Sequence, residues 1–205
     1  MIEQVHRFKI PDQIYDDLLK CLENKGDKWN KELAGNIKEE YSLKHHAKKF
    51  EHFLLSQIPN SKYLTEYFDE IAILDPNPLP LTLQNFWVNF QKKHEFNPLH
   101  KHQGLFSFVL FMKIPFLIEQ EKLLCPGVES NNNKPGGLGF VFPSNKVMGG
   151  IQAFTLEVDQ RWERTGVIFR ADLSHFVNPF FSDGTRITIS GNIMLDTSGV
   201  VEYGV

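Results

Sequence analysis

"LQNFWVNFQ", residues 83 to 91, sorts its side chains by parity: Phe86, Val88 and Phe90 share one side, Trp87, Asn89 and Gln91 the other. Successive strand residues point to opposite faces, so this is a strand with one apolar face and one polar-bearing face. Working outward, further strands are expected at 104–113, 138–142, 151–158, 165–170 and 185–195, with a short one at 5–9. Upstream, "PDQIYDDLLKCLEN" reads as a helix with Pro11 in its first turn and Ile14, Leu18, Leu19 and Leu22 on one stripe. Two more helices are expected at about 46–57 and 62–70, after a polar connector, "KGDKWNKELAGNIKEEYSL". Helices first and strands after predict an α+β chain whose working half is an antiparallel sandwich or jelly roll. The stretch 119–137, rich in Asn, Pro and Gly, is expected to be a long surface loop; its "PGGLG" lacks the lysine-serine ending of a phosphate loop.

At 205 residues the chain fits one domain, with helical support over 1–75 and a β core over 80–205. Its 18 Phe suggest a core of large flat side chains. The net charge of −3 offers no broad basic surface, so a nucleic-acid partner is unsupported. Cys21 and Cys125 stand far apart, outside any C-x-x-C pair, and are expected to be buried free thiols. With no signal pattern and no apolar run of about 20 residues, a soluble cytoplasmic protein is expected.

Within "NPLHKHQGLFSFVLF", 97 to 111, His100 and His102 stand two apart. On an extended backbone such residues share a face, with Cα atoms about 6.5 to 7 Å apart, so the two imidazoles can converge on one metal ion. Alone, the pair is a weak signal. Downstream, "RADLSHFVNPFFSDGTRITISGNI", 170 to 193, places His175 near the end of a strand-like stretch, and eleven residues later Arg186 opens another strand. There Arg186, Thr188, Ser190 and Asn192 share one face and Ile187, Ile189 and Ile193 the other. Singly, each has an ordinary explanation: a core histidine, an edge-strand charge, the wet side of a strand. Trp87 and the phenylalanines of 106–111 are assigned to the core, and His45, His46, His52 and His94 to the solvated surface.

In combination these residues resemble the Fe(II)/2-oxoglutarate-dependent oxygenases, whose double-stranded β-helix (jelly roll) carries an H-x-D/E dyad, a distal histidine and a basic residue some ten positions beyond it. "WVNFQKKHEFNPLHKHQGLFSFVLFMKIP", 87 to 115, is similar to a subgroup reading W-x-N, then N-x-x-H-x-H, then a serine-containing strand ending in Pro. The resemblance spans about residues 83 to 195, with the N-terminal helices as support. It implies an Fe(II)- and 2-oxoglutarate-dependent dioxygenase, by default a hydroxylase, with O2 as co-reactant. His100, His102 and His175 would be the metal ligands and Arg186, Thr188 and Asn89 the contacts to 2-oxoglutarate. No general base is implied. His102 stands where most of the family has Asp or Glu, so either the site is all-histidine or one of the pair sits behind the ligands. The substrate is expected to be a peptide, a metabolite or a nucleoside. Two alternatives are a cupin-type three-histidine dioxygenase working without 2-oxoglutarate and a non-catalytic binding module of the same fold. A cupin, however, continues to a glutamate a few residues after H-x-H, whereas here the next acid is Glu119.

Overall fold

The computed structural model describes residues 3–72, 80–144 and 149–198. Residues 73–79, the expected join between helical support and β core, lie outside the described residues, as do 145–148. The named strands are β1 (Val5–Lys9), β2 (Glu40–Ser42), β3 (Leu81–Lys92), β4 (Asn97–His100), β5 (Phe106–Lys113), β6 (Leu138–Pro143), β7 (Ile151–Leu156), β8 (Thr165–Arg170), β9 (Ser174–Val177) and β10 (Thr185–Leu195). The α-helices are α1 (Asp12–Glu23), α2 (Ala47–Leu55), α3 (Lys62–Ala72) and α4 (Ile118–Leu124). The strands form two antiparallel sheets, ordered β1-β8-β5-β10-β3-β2 and β4-β9-β6-β7.

Two apolar cores lie on opposite faces of the six-stranded sheet. On its outer face, Leu18 of α1, Phe50 and Leu54 of α2 and Leu64 of α3 pack with Phe86, Val88, Phe108, Leu110, Ile189 and Ile193. On its inner face, Phe111, Val167 and Phe169 meet Leu138, Phe140 and Leu156 of the smaller sheet. The strand β5 is therefore covered on both sides, which is why "FSFVLFM" is apolar almost throughout instead of alternating. Full burial of each such side chain contributes about 1.5 to 3 kcal/mol relative to exposure. On α1 the inward residues are Tyr15, Leu18 and Cys21, with Tyr15 donating to the Met112 carbonyl at 2.6 Å. Leu19, expected on the stripe, is 39% exposed. Cys21 is a buried free thiol as expected, whereas Cys125 is only half-buried.

Three expectations need correction. The stretch "GVIFRADLSHFV" is two strands: β8 ends at Arg170, and β9 begins at Ser174 in the other sheet. Between them Asp172 takes the Arg170 guanidinium at 3.0 and 2.6 Å, a local pairing that stabilises the turn. The strand expected from 104 begins only at Phe106, because Gly104 adopts a left-handed φ of 102°. The segment 119–137 is not simply a surface loop. It opens within α4, whose Glu121 is fully buried and accepts from the Phe181 and Ser182 N–H groups, and it closes on the buried Pro135, Gly136 and Gly137. Among the described residues no helix is long and apolar enough to cross a membrane.

Candidate metal and cosubstrate site

The smaller sheet positions the histidines. His100 ends β4 and stands directly opposite His175 of β9 in the antiparallel ladder. His102 lies beyond the end of β4, so the pair does not share one strand as the spacing suggested. Its backbone N–H instead donates to the Ala171 carbonyl at 3.0 Å, which pins the chain to the β8–β9 turn and folds the ring inward. The ring centroids are 4.9 Å apart for His100 and His102, 4.3 Å for His100 and His175, and 5.0 Å for His102 and His175. One nitrogen from each ring lies within 4.8 Å of the others.

The tautomers follow from the backbone. His100 Nδ1 lies 2.7 Å from the Pro98 carbonyl and His175 Nδ1 2.9 Å from the Leu173 carbonyl. A carbonyl oxygen accepts only, so both Nδ1 atoms carry the proton, and in the neutral rings the Nε2 lone pairs remain free for a metal. Burial holds all three imidazoles below the usual histidine range, with His102 down to about 4, further depressed by the His100 ring, and His175 to about 3, further depressed by the other two rings. At neutral pH no proton has to leave before a cation binds.

These shifts predict a pH dependence of the metal-free protein. The unfolded chain takes up protons near pH 6.5 while the folded site resists them, so the contribution is complete above 6.5 and declines as pH falls toward the folded values. At about pH 5, His175 alone should cost roughly 2 kcal/mol of stability, at about 1.4 kcal/mol per pH unit below 6.5. Urea unfolding at about pH 7.5 and 5 should show this acid loss in the parent and a correspondingly smaller one in His175→Asn. An identical loss in both would rule it out.

The six-stranded sheet supplies the opposite wall. Arg186 on β10 is 2% exposed, and its Nη1 donates to the Gly136 carbonyl at 2.7 Å. Gly136 has a φ of 65°, a left-handed conformation suited to glycine, so "PGGLG" serves to aim a carbonyl at this guanidinium. The Nε of Arg186 is buried without a partner, and the side chain makes no ion pair among the described residues. Burial pushes its pKa down to about 10, which leaves it cationic at neutral pH. Thr188, two residues along, accepts from Asn89 Nδ2 at 3.2 Å, and the two stand opposite in the β10–β3 ladder. Asn89 Oδ1 is again buried and without a partner among the described residues.

One cavity between the sheets is lined by His100, His102 and His175 on one side and by Arg186, Thr188 and Asn89 on the other. All six residues singled out from the sequence therefore border the same space. Buried polar atoms are rarely left unpaired, because each forgoes about 1 to 3 kcal/mol of solvation. Among the described residues, an unpaired guanidinium N–H is a donor that an anionic ligand would satisfy, and three imidazole lone pairs are what a cation would satisfy; the Asn89 oxygen is an acceptor and calls for a donor instead.

Other residues belong to this site without having been expected there. Trp87, assigned to the core, lines the cavity, with its ring centroid 5.7 Å from that of His102. From the connector, Leu33, Gly35 and Glu40 form a wall, and Asn97 joins them from the start of β4. Glu40 lies on a three-residue strand, too short to show any periodicity, so only the fold brings it here. Asn192 is turned to another purpose, accepting from Ser107 Oγ at 2.8 Å.

No protein-family model and no curated protein sequence matches this chain. Solved structures do. A prolyl-4-hydroxylase from Pseudomonas putida is 13% identical, with 94% of this chain and 92% of that one covered at a TM-score of 0.52. A prolyl hydroxylase from Trichoplax adhaerens, in complex with a hypoxia inducible factor oxygen degradation domain peptide fragment, is 9% identical over 95% and 85% of the two chains, with a TM-score of 0.52. HygX from Streptomyces hygroscopicus, with nickel, 2-oxoglutarate and hygromycin B bound, is 10% identical over 94% and 83%, with a TM-score of 0.50. At such identities the likeness is one of fold, and the chain shares the fold of these two prolyl hydroxylases and of HygX.

Proposed function

We propose that this chain is an Fe(II)- and 2-oxoglutarate-dependent dioxygenase, a hydroxylase built as one domain on a double-stranded β-helix. The observation that carries the reading is the convergence, in one cavity between two sheets, of three neutral imidazoles with a buried guanidinium that lacks a counter-ion among the described residues. His100, His102 and His175 would hold the metal, with His102 a direct ligand in place of the usual carboxylate. Three neutral ligands on one face of an ion leave positions open for a cosubstrate and O2. A bound iron would supply the activation of O2, coupled to conversion of 2-oxoglutarate to succinate and CO2, with the second oxygen atom inserted into a substrate C–H bond.

The protein's own part is to bind, orient and exclude water. Arg186 offers a planar, permanently charged fork to the far carboxylate of 2-oxoglutarate, which suits bidentate hydrogen bonding. Thr188 adds a hydroxyl and Asn89 a further polar contact. The carbonyls of Pro98 and Leu173 fix the rings of His100 and His175 by holding their Nδ1 protons. Phe169, at 5.0 Å from the His175 ring, keeps that side of the site apolar. The neighbours' ligands, a peptide fragment in one and hygromycin B in another, favour a peptide or a small metabolite as substrate over a nucleoside. Two free cysteines suit a cytoplasmic setting.

A cupin-type enzyme would need the three histidines but not the guanidinium. The test is succinate release from 2-oxoglutarate by the Fe(II)-loaded protein in air, where uncoupled turnover suffices. Succinate above the metal-free control supports the proposal. Iron binding that neither consumes 2-oxoglutarate nor tightens in its presence would favour the cupin reading, and failure to bind iron a non-catalytic module.

A further inference from the structure

With Arg186, Thr188 and Asn89 assigned to the cosubstrate, several polar side chains of the cavity wall still have no role, Glu40 and Asn97 among them. Glu40 is 1% exposed, a costly place for a carboxylate. One of its oxygens, Oε2, accepts from Asn30 Nδ2 at 3.1 Å, and the same amide holds the Ile37 carbonyl at 2.6 Å, which ties the wall together. The other oxygen, Oε1, lies beside Gly35, where a Cβ would come within 2.7 Å of it and would also strike Asn97 Oδ1. That Asn97 oxygen is buried and has no partner among the described residues. Two acceptor oxygens thus flank one glycine, and neither has a hydrogen-bond donor among the described residues.

Their placement is equally specific. Glu40 stands opposite Asn89 in the β2–β3 ladder, next to the cosubstrate residues. Asn97 begins the strand that ends in His100. The acceptor pair therefore reaches the cavity from both sheets, in the same space as the proposed metal and cosubstrate residues. Leu33, Ala34 and Ile37 line the same wall with apolar surface. Burial, reinforced by the charge of Glu95 and opposed by the Asn30 bond, raises the Glu40 carboxyl to about 7, so a cationic partner would return it to the ionised form.

We propose that Glu40 and Asn97 select the substrate, accepting hydrogen bonds from a nitrogen donor, an ammonium or amide N–H, on an aliphatic compound whose neighbouring C–H bond is presented to the metal. This rests on the oxygenase reading, and it restricts the substrate to amines and amides, including peptides.

The experiment uses the full chain loaded with Mn(II) and the unreactive analogue N-oxalylglycine. A rise in melting temperature on loading is measured first; without one, the oxygenase reading fails and takes this inference with it. Butylammonium, butyramide, butanol and butyrate are then titrated, and the Mn(II)-induced relaxation of their protons reports both affinity and proximity to the ion. Butylammonium should bind about tenfold more tightly than butyrate, the scale of one hydrogen bond to a charged group, with butyramide between them. Glu40→Gln should remove the ammonium preference. Asn30→Ala, which loosens the wall but leaves the carboxylate, should keep it. Equal affinities for butylammonium and butyrate in a loaded, stabilised protein, or an unchanged preference in Glu40→Gln, would overturn the assignment while leaving the oxygenase reading standing.

Discussion

Replacement of His175 by alanine should abolish the stabilisation that Mn(II) and 2-oxoglutarate confer on the parent protein. A ligand that binds only the folded state adds about 2.7 kcal/mol when present at about 100 times its dissociation constant. For a chain of this size that corresponds to a rise of roughly 5 to 11 °C in melting temperature. His175 is 3% exposed, stands opposite His100 and has its Nε2 lone pair free, so no other residue in the cluster substitutes for it. The variant also loses the hydrogen bond to the Leu173 carbonyl and the packing against Phe169, and its metal-free form should be less stable by about 1 to 3 kcal/mol. The decisive quantity is therefore the ligand-induced shift, measured by calorimetry for each protein against its own metal-free form. A variant that responds as the parent does would remove His175 from the ligand set.

Arg186→Met should separate cosubstrate binding from folding. In most proteins the loss of a buried arginine is destabilising because it breaks an ion pair; here there is no such pair among the described residues, and one nitrogen is unsatisfied. A buried cation of this kind opposes folding, so an isosteric apolar residue should leave the metal-free stability within about 1 kcal/mol of the parent or raise it. The same change should weaken 2-oxoglutarate by roughly 30- to 4,000-fold, from about 2 to 5 kcal/mol for truncating one partner of a buried charge pair. Arg186→Lys should fall between, because an ammonium keeps the charge but not the fork. Mn(II) affinity should be unchanged in both, since the guanidinium faces the other end of the cavity. Equilibrium binding of 2-oxoglutarate and Mn(II), read beside urea unfolding, checks all three expectations. Equal loss of metal, cosubstrate and stability would make Arg186 a structural residue.

The sequence foreshadowed the parts of the fold whose residues repeat a pattern long enough to read. Strand β3 spans twelve residues and β10 eleven, and the alternation of Phe86, Val88 and Phe90 against Trp87, Asn89 and Gln91 matches the division between the helix-side core and the cavity. Strands β2, β4 and β9 have three or four residues, two full periods at most, and none stands out in the sequence as a separate element. The expected strand at 165–170 ends where β8 ends, but β9 does not stand apart because Ala171, Asp172 and Leu173 include neither Gly nor Pro. The turn is closed by the Leu173 N–H donating to the Arg170 carbonyl at 3.1 Å, with the Arg170–Asp172 pairing beside it. Helix α4 is hidden beside the Pro, Gly and Asn that follow it.

The site divides in the same way. His100, His102, His175, Arg186, Thr188 and Asn89 were legible because their residue types are chemically restricted and their order matched a known pattern. Glu40 and Gly35 were not, since one glutamate among three in a lysine-rich connector looks like any solvated charge, and Asn97, although it opens the N-x-x-H-x-H pattern, carried no assigned role. They enter the cavity only through the β2–β3 pairing and the contact of Asn36 with Phe96, both of which join segments far apart in the chain.

The most direct test of the proposed chemistry is a crystal structure of the protein with Mn(II) and N-oxalylglycine bound. It should show Nε2 of His100, His102 and His175 on a single ion, with the analogue's far carboxylate held by Arg186 and Thr188. An ion held elsewhere, or an analogue whose carboxylate leaves the guanidinium on the Gly136 carbonyl alone, would contradict it.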